Sequence, residues 1–169
     1  MNAVFFAVAI AAGLVIITAI LIPATTSTAM EIRFDAPIRA VWQVYTDIES
    51  QPNWRSDVVK VEMAGEENAW TETLETSGMT IRFRILEKTP PSRFVLKTGA
   101  DGNFEGRYVA EFRQENGGTV GTFTEEATAL GIVPKVMRSL FFNQRKFIEE
   151  YAREAKAEIE RREFSEGHS

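Results

Sequence analysis

Two glutamates occupy positions where a buried carboxylate could perform acid–base chemistry. Glu72 lies between Trp70 and Leu74 in a segment of alternating polarity. Glu125 lies two residues after Phe123 in another such segment, so both side chains are expected on the same face of a strand. A carboxylate on the apolar face of a strand has a raised pKa and can act as a general acid or base. These two glutamates are therefore the candidate catalytic residues.

A structural role for both glutamates stays open beside the catalytic one. A strand twist or bulge could expose them, or Arg82, Arg84 or Arg107 could pair with them, and structural ion pairs perturb carboxylates much as active sites do. Neither Glu66–Glu67 nor Glu125–Glu126 indicates a cation site. The first pair lies in a turn, and adjacent residues of a strand point to opposite faces.

The composition excludes several classes of site. The 169 residues include no cysteine and one histidine, His168 in the C-terminal tail. A cysteine nucleophile, a zinc–cysteine site, a histidine-based triad and a multi-histidine metal site are therefore all excluded. The net charge of −5 argues against nucleic acid as a partner, because phosphate neutralisation needs clustered lysine and arginine. We expect neither a metal nor a cofactor.

Hydrophobic periodicity predicts the elements that must position these residues. Alternation predicts a first strand near Glu31–Asp35 and about six more strands between Val59 and Ala129, joined by turns such as Asn116–Gly118. Pro37 suits the first turn of a helix, and a short second helix or turn covers 48–54. The pattern predicts an antiparallel sheet.

The C-terminal third changes to a helical period. A long helix is predicted from Pro134 to about Arg162, and such a helix must bury its apolar face on the sheet. Its predicted stripe comprises Met137, Leu140, Phe141, Gln144, Phe147, Ile148, Tyr151 and Ala155.

The N-terminus carries an uncharged apolar run from Ala3 to Ile22. About 20 helical residues span the hydrocarbon core of a bilayer, so residues 1–23 are predicted to be a transmembrane anchor, with a cleaved signal peptide as the alternative. A linker over 24–29, a domain over 30–163 and a disordered tail over 164–169 complete the predicted organisation. Arg33 and Arg39 after the run favour a single-pass protein of the cell membrane with its domain in the cytoplasm.

Three short motifs carry a resemblance to a known family. They are Ala36-Pro37-Ile38-Arg39-Ala40-Val41-Trp42, then Tyr45-Thr46-Asp47, then Pro52-Asn53-Trp54. The chain resembles the SRPBCC or START-like superfamily, in its polyketide cyclase/dehydrase and lipid-transport branch. The resemblance implies an α+β helix-grip fold, in which a curved antiparallel sheet wraps around a long C-terminal helix and leaves a hydrophobic cavity.

Such a cavity would be lined by the helix stripe and the inward strand face. The alternative for each lining residue is ordinary core packing. Trp54, expected near the cavity mouth, could gate entry or plug the sheet. The candidate ligand-binding residues are Trp54, Leu74, Phe83, Phe104, Tyr108, Phe123, Met137, Phe141 and Gln144.

Two classes of function stay open. The first is a membrane-anchored binding or carrier domain for a lipid or other hydrophobic small molecule. The second is a cyclase- or dehydratase-like enzyme that uses pocket carboxylates for acid–base chemistry. A convergent polar cluster around Glu72 or Glu125 would favour the enzyme, and a purely apolar cavity would favour the carrier.

Overall fold

A computed structural model describes residues 21–166. Seven strands form one curved antiparallel sheet in the spatial order β1-β7-β6-β5-β4-β3-β2. The predicted antiparallel sheet and α+β helix-grip architecture are confirmed. The strands are β1 (Thr25–Phe34), β2 (Val58–Met63), β3 (Ala69–Leu74), β4 (Thr80–Thr89), β5 (Arg93–Ala100), β6 (Phe104–Glu115) and β7 (Gly118–Ala129).

Helices cover the inner face of the sheet. They are α1 (Ile38–Thr46), a 3₁₀ helix (Ile48–Asn53), α2 (Ile132–Phe141) and α3 (Gln144–Glu166). Helix α3 buries Ile148, Ala152, Ala155 and Ile159, at the three- and four-residue spacing that places side chains on one helical face. Helix α1 packs against α3 and against β6 and β7.

Aromatic rings fill the space between the sheet and the helices. Tyr45 of α1 stacks on Phe123 of β7 with ring centroids 5.1 Å apart, and Phe34 meets both rings edge-on. All three side chains are buried. Such rings contribute both buried apolar area and edge-to-face attraction, so this part of the interior is a packed core.

The first strand begins earlier than the sequence predicts. All of the predicted linker over 24–29 except Ala24 forms the first half of β1. Thr25 pairs there with Thr128 of β7, and the two hydroxyls lie 2.8 Å apart. Threonine favours extended backbone, and cross-strand hydroxyl pairs stabilise a sheet. At the other end α3 continues to Glu166, so the first residues of the predicted tail over 164–169 are helical.

The predicted single C-terminal helix is wrong, because two helices occupy that region. Phe142 has extended backbone angles, and the Asn143 carboxamide oxygen accepts a hydrogen bond from the Lys146 backbone N–H at 3.1 Å. A side-chain oxygen in this position satisfies one of the free N–H groups at a helix start. Phe142 therefore ends one helix and Asn143 caps the next.

The predicted transmembrane anchor falls almost wholly on residues 1–20, which lie outside the described residues. Between residues 21 and 166, no helix is long and apolar enough to cross a membrane.

Candidate functional site

An open groove of about 680 Å³ runs between β1 and the α2–α3 junction. Its volume falls within the roughly 300–1,000 Å³ typical of small-molecule sites. Beside it lies a smaller cleft of about 130 Å³, and Ser139, Phe142 and Gln144 line both. We call the larger space the β1–α3 groove. It is lined by Ser27, Thr28, Ala29, Ser139, Leu140, Phe141, Phe142, Asn143, Gln144 and Arg145.

Three polar side chains line the groove or the cleft, and a fourth lies beside them on the neighbouring strand β7. Gln144 is buried at the start of α3, and its carboxamide oxygen accepts a hydrogen bond from the Thr28 hydroxyl at 3.2 Å. Thr28 pairs with Glu125 across the β1–β7 ladder, and Thr26 lies two residues before Thr28 on the same face. We call Thr26, Thr28, Glu125 and Gln144 the polar cluster.

Three atoms of the polar cluster are buried without a hydrogen-bond partner. They are the Thr26 hydroxyl oxygen, Glu125 Oε2 and Gln144 Nε2, and none of them finds a partner within residues 21–166. A buried polar group without a partner costs about 1–3 kcal/mol. Because three such atoms lie in one cluster, the arrangement suits a ligand that supplies the missing hydrogen bonds.

The electrostatics of Glu125 follow from its burial. Desolvation raises the pKa of the Glu125 carboxyl from 4.5 to about 7, because a low-dielectric environment disfavours the charged form. The neutral carboxyl can donate one hydrogen bond and accept another, whereas the carboxylate only accepts. Near pH 7 both forms are therefore present, and Glu125 meets the pKa requirement for an acid or a base.

Glu72 has a different environment. It faces inward beside Trp70, as predicted, and its side chain is 2% exposed, but its partner is Arg55 instead of Arg82, Arg84 or Arg107. Arg55 Nη1 donates to Glu72 Oε2 at 2.8 Å, and Trp70 Nε1 donates to Glu72 Oε1 at 2.9 Å. Both oxygens are thus engaged.

Arg55 extends this ion pair into a network. Its guanidinium donates to Gln51 Oε1 at 2.6 Å and to both carboxylate oxygens of Asp57, and it lies 4.8 Å from the centre of the Tyr151 ring. Burial disfavours the charged guanidinium, but Glu72 and Asp57 outweigh that effect and raise the pKa of Arg55. Each oxygen of the Glu72 carboxylate thus has a buried donor from this chain, which is the arrangement of a structural ion pair.

Several predicted ligand-binding residues lie in the packed interior. Phe123 is fully buried, Tyr108 stacks against it at 6.4 Å, and Phe83 stacks on Trp70 at 5.1 Å. Burial raises the pKa of the Tyr108 phenol, and Tyr151 and Glu125 add to this rise. Tyr108 thus lies within electrostatic reach of the polar cluster.

The other predicted residues lie at the margins of the sheet. Trp54 is half-buried, donates from Nε1 to Ser50 Oγ at 3.4 Å and meets Tyr151 edge-on, so it packs between the 3₁₀ helix and α3. Leu74 ends β3 and Phe104 begins β6, both half-buried.

Met137 and Phe141 do not face the sheet as predicted. Both are exposed on α2, because the chain turns at Phe142–Asn143 and the apolar face of α2 does not continue that of α3. Phe141 lines the β1–α3 groove, and Gln144 is brought to the polar cluster. Of the predicted residues, the structure brings Phe141 and Gln144 together in the lining of the groove, and Glu125 lies on β7 opposite Thr28.

The sequence reasoning missed Arg55, Thr26 and Thr28. Thr26 and Thr28 alternate with Ser27 in a run rich in β-branched residues, a strand signal that could have extended β1. Arg55 lies in a turn beside Trp54 and carried no local signal, because its partner is 17 residues away.

No group of three or more candidate metal ligands occurs within the part of the chain that the structure describes.

Comparison with known proteins identifies the family. The family model for polyketide cyclase/dehydrase and lipid transport matches residues 25–160. The chain belongs to this family. No curated protein sequence matches the chain closely enough to count as a relative.

Solved structures share the fold of this family member. The Zhui aromatase/cyclase from Streptomyces sp. R1128 has a TM-score of 0.71 at 14% identity, covering 82% of this chain and 95% of that one. A conserved protein from Geobacillus kaustophilus has a TM-score of 0.70 at 16% identity, with coverages of 80% and 96%. A point mutant of norcoclaurine synthase from Thalictrum flavum, in complex with a transition-state analogue, has a TM-score of 0.65 at 12% identity, with coverages of 82% and 96%. At these identities the likeness shows the fold alone.

Proposed function

We propose that this chain binds a neutral, mostly apolar small molecule or lipid in the β1–α3 groove, and that it does so at a membrane to which residues 1–23 anchor it. The hydroxyl or carbonyl group of the ligand lies at the polar cluster. The observation that carries the proposal is the set of unpartnered buried atoms on Thr26, Glu125 and Gln144. A ligand oxygen can accept from Gln144 Nε2 and exchange a hydrogen bond with Glu125.

Part of the groove wall is apolar and can contact the apolar part of such a ligand. Leu140, Phe141 and Phe142 line it beside the polar cluster. Small-molecule sites typically combine apolar walls with a few well-placed polar groups. An anionic ligand group suits this site less well, because the buried Glu125 carboxyl is already costly to ionise and a second negative charge beside it would add repulsion.

Mass spectrometry of molecules that co-purify with the full chain tests the proposal. Ser139 lines both the groove and the cleft and is exposed, so Ser139→Trp fills the site without entering the core. Ala157→Trp is the matched control, because Ala157 is an exposed helical residue about 20 Å further along α3. We expect the wild type and Ala157→Trp to carry the same apolar compound and Ser139→Trp to lose it. Equal loading of all three proteins would refute the groove as the binding site.

The pKa of Glu125 supports a second candidate function, a cyclase- or dehydratase-like reaction. A carboxyl with a pKa of about 7 can remove a proton from a carbon next to a ketone and return a proton to the departing hydroxyl. Incubation with a linear poly-β-ketone, followed by mass spectrometry for loss of water, tests this function. Turnover that disappears in Glu125→Gln while binding persists supports the enzyme. If water is lost from the poly-β-ketone at the same rate with and without protein, the enzymatic function is refuted and only the binding function is left.

A further inference from the structure

Helix α2 presents an apolar face to solvent. Val133, Met137, Leu140 and Phe141 are 72%, 52%, 68% and 75% exposed. Their spacing of four, three and one residues places them on one side of the helix. A single exposed apolar residue is ordinary, but a contiguous patch of this kind marks an interaction surface.

The side of α2 nearest the sheet is held by polar contacts. Arg138 donates to the backbone carbonyls of Pro23, Ala24 and Ala127 at 2.7, 2.8 and 3.0 Å. One guanidinium thus joins the helix to the end of β7 and to the residues before β1. These bonds fix the orientation of α2 with its apolar face outward.

The same contacts place α2 beside the end of the N-terminal apolar run. Pro23 and Ala24 directly follow the uncharged residues 3–22, and Leu21, at the end of the run, is 78% exposed. An apolar segment of this length is long enough to enter a bilayer. If it does so, the three hydrogen bonds of Arg138 hold α2 close to the membrane surface.

The charge around α2 suits an anionic surface. The chain has a net charge of −5, yet residues 127–148 contain four basic residues and no acidic one. Two of them lie on α2 outside its apolar face and two lie on the first turn of α3, and an apolar helix face with cationic residues around it is the pattern of a helix that lies in a membrane interface. Each cation near an anionic leaflet adds to the attraction. The four are Lys135, Arg138, Arg145 and Lys146.

We infer that α2 lies in the interface of a bilayer containing anionic lipid, with Val133, Met137, Leu140 and Phe141 inserted among the acyl chains. Leu140 and Phe141 also line the β1–α3 groove, so this orientation opens the groove towards the bilayer. An apolar ligand can then move from the bilayer into the groove without crossing water. The inference rests on the proposed binding function at a membrane, and it adds a second membrane contact to the anchor.

The lack of cysteine in the chain allows a direct test with single labels. Full-length Leu140→Cys, Gly13→Cys and Gln114→Cys proteins, each labelled with an environment-sensitive fluorophore, are reconstituted into vesicles of equal parts phosphatidylcholine and phosphatidylglycerol. Leu140 reports on α2 and Gly13 on the N-terminal run. Gln114 is an exposed control whose partner, Thr119, lies about 30 Å along β7 from the start of α2. Nitroxide attached to the lipid acyl chains then quenches any label inside the bilayer.

We expect blue-shifted emission and loss of most fluorescence to the nitroxide at positions 13 and 140, and neither effect at position 114. Quenching at 13 without quenching at 140 overturns the inference and leaves the anchor intact. Quenching at 140 without quenching at 13 supports the docking of α2 and overturns the anchor. A label at 140 that is blue-shifted but unquenched overturns lipid docking, because another protein surface, such as a second copy of this chain, then covers the face.

Discussion

Thr28 of β1 and Glu125 of β7 are direct partners across the sheet, yet they differ in how their side chains are satisfied. The Thr28 hydroxyl donates to Gln144 at 3.2 Å, whereas Glu125 Oε2 is buried with no partner among the described residues. The unsatisfied Glu125 carboxyl therefore lies across the β1–β7 ladder from Thr28, a groove residue whose carboxamide partner Gln144 also has an N–H donor without a partner among the described residues.

Glu125 makes the stability of the domain depend on pH. Its pKa in the folded state, about 7, lies above the ordinary value of 4.5, so the folded protein binds this proton more tightly than the unfolded chain does. The stabilising contribution is fully present below about pH 4.5 and is lost as the pH rises to about 7. We expect a loss of about 3 kcal/mol across this window, measured as the urea midpoint against pH.

Glu125→Gln removes the ionisable group while keeping its shape, so the pH dependence in that window should flatten. Glu126→Gln is the matched control, because Glu126 is the adjacent, exposed residue of the same strand. If Glu125→Gln retained the slope of the wild type, the buried carboxyl would not be its source.

The Arg55–Glu72 pair is predicted to be structural. Arg55→Leu leaves Glu72 charged and buried with only Trp70 as a partner, and breaking such a pair costs about 3–5 kcal/mol. Arg55→Leu combined with Glu72→Met should recover much of that loss, because apolar residues of similar volume replace a buried pair well. Chemical denaturation of both variants measures this.

An exposed pair provides the comparison for Arg55. Arg82 pairs with Asp101 on the surface, and Arg82→Leu should leave the denaturation midpoint nearly unchanged, because solvent screens exposed pairs. A double Arg55/Glu72 variant no more stable than Arg55→Leu alone would show that the network owes its effect to Gln51 and Asp57 instead.

The sequence predicted the elements whose signal is local. Alternation in β4 and the position of Pro37 indicated a strand and a helix correctly, since side-chain periodicity follows directly from backbone geometry. The inward orientation of Glu72 followed from the same parity. Its partner did not, because which arginine reaches a buried carboxylate depends on how the turn after the 3₁₀ helix packs.

The helix break and the site escaped prediction for related reasons. The helical spacing of Met137, Phe141 and Gln144 is consistent with one helix, and the extended backbone at Phe142 and the capping bond of Asn143 show that two exist. The β1–α3 groove exists because of that break. A site built at the junction of a strand and two helices has no periodic signature along the chain.

Asn143 is expected to stabilise the start of α3. Asn143→Ala removes the hydrogen bond to the Lys146 N–H and should cost about 1 kcal/mol. Asn143→Ser, which keeps a side-chain oxygen in the capping position, should restore most of the loss in thermal or chemical denaturation. Equal destabilisation by both substitutions would argue against capping as the role of Asn143.

Gly106 is predicted to have no free space for a side chain. A Cβ at this position would lie 2.6 Å from the Glu126 carbonyl oxygen and 2.7 Å from Thr98 Oγ1. Gly106→Ala should therefore destabilise the domain by about 1–3 kcal/mol, whereas Ser139→Trp, which fills the open groove, should leave the urea midpoint close to that of the wild type. If Ser139→Trp were destabilised and Gly106→Ala were not, the free space would lie at Gly106 and not in the groove.

If the polar cluster recognises a hydroxyl or carbonyl group on an apolar ligand, two ligands that differ only in such a group should bind with different affinities. Naphthalene and 2-naphthol differ by one hydroxyl group, and both are measured against full-length protein in detergent micelles, with empty micelles subtracted. We expect wild-type protein to bind 2-naphthol about tenfold more tightly than naphthalene, since one satisfied hydrogen bond contributes about 1.4 kcal/mol. Gln144→Leu should abolish that difference while leaving naphthalene affinity unchanged. Equal affinity of the wild type for both ligands, or a preference for 2-naphthol that survives in Gln144→Leu, would contradict the account.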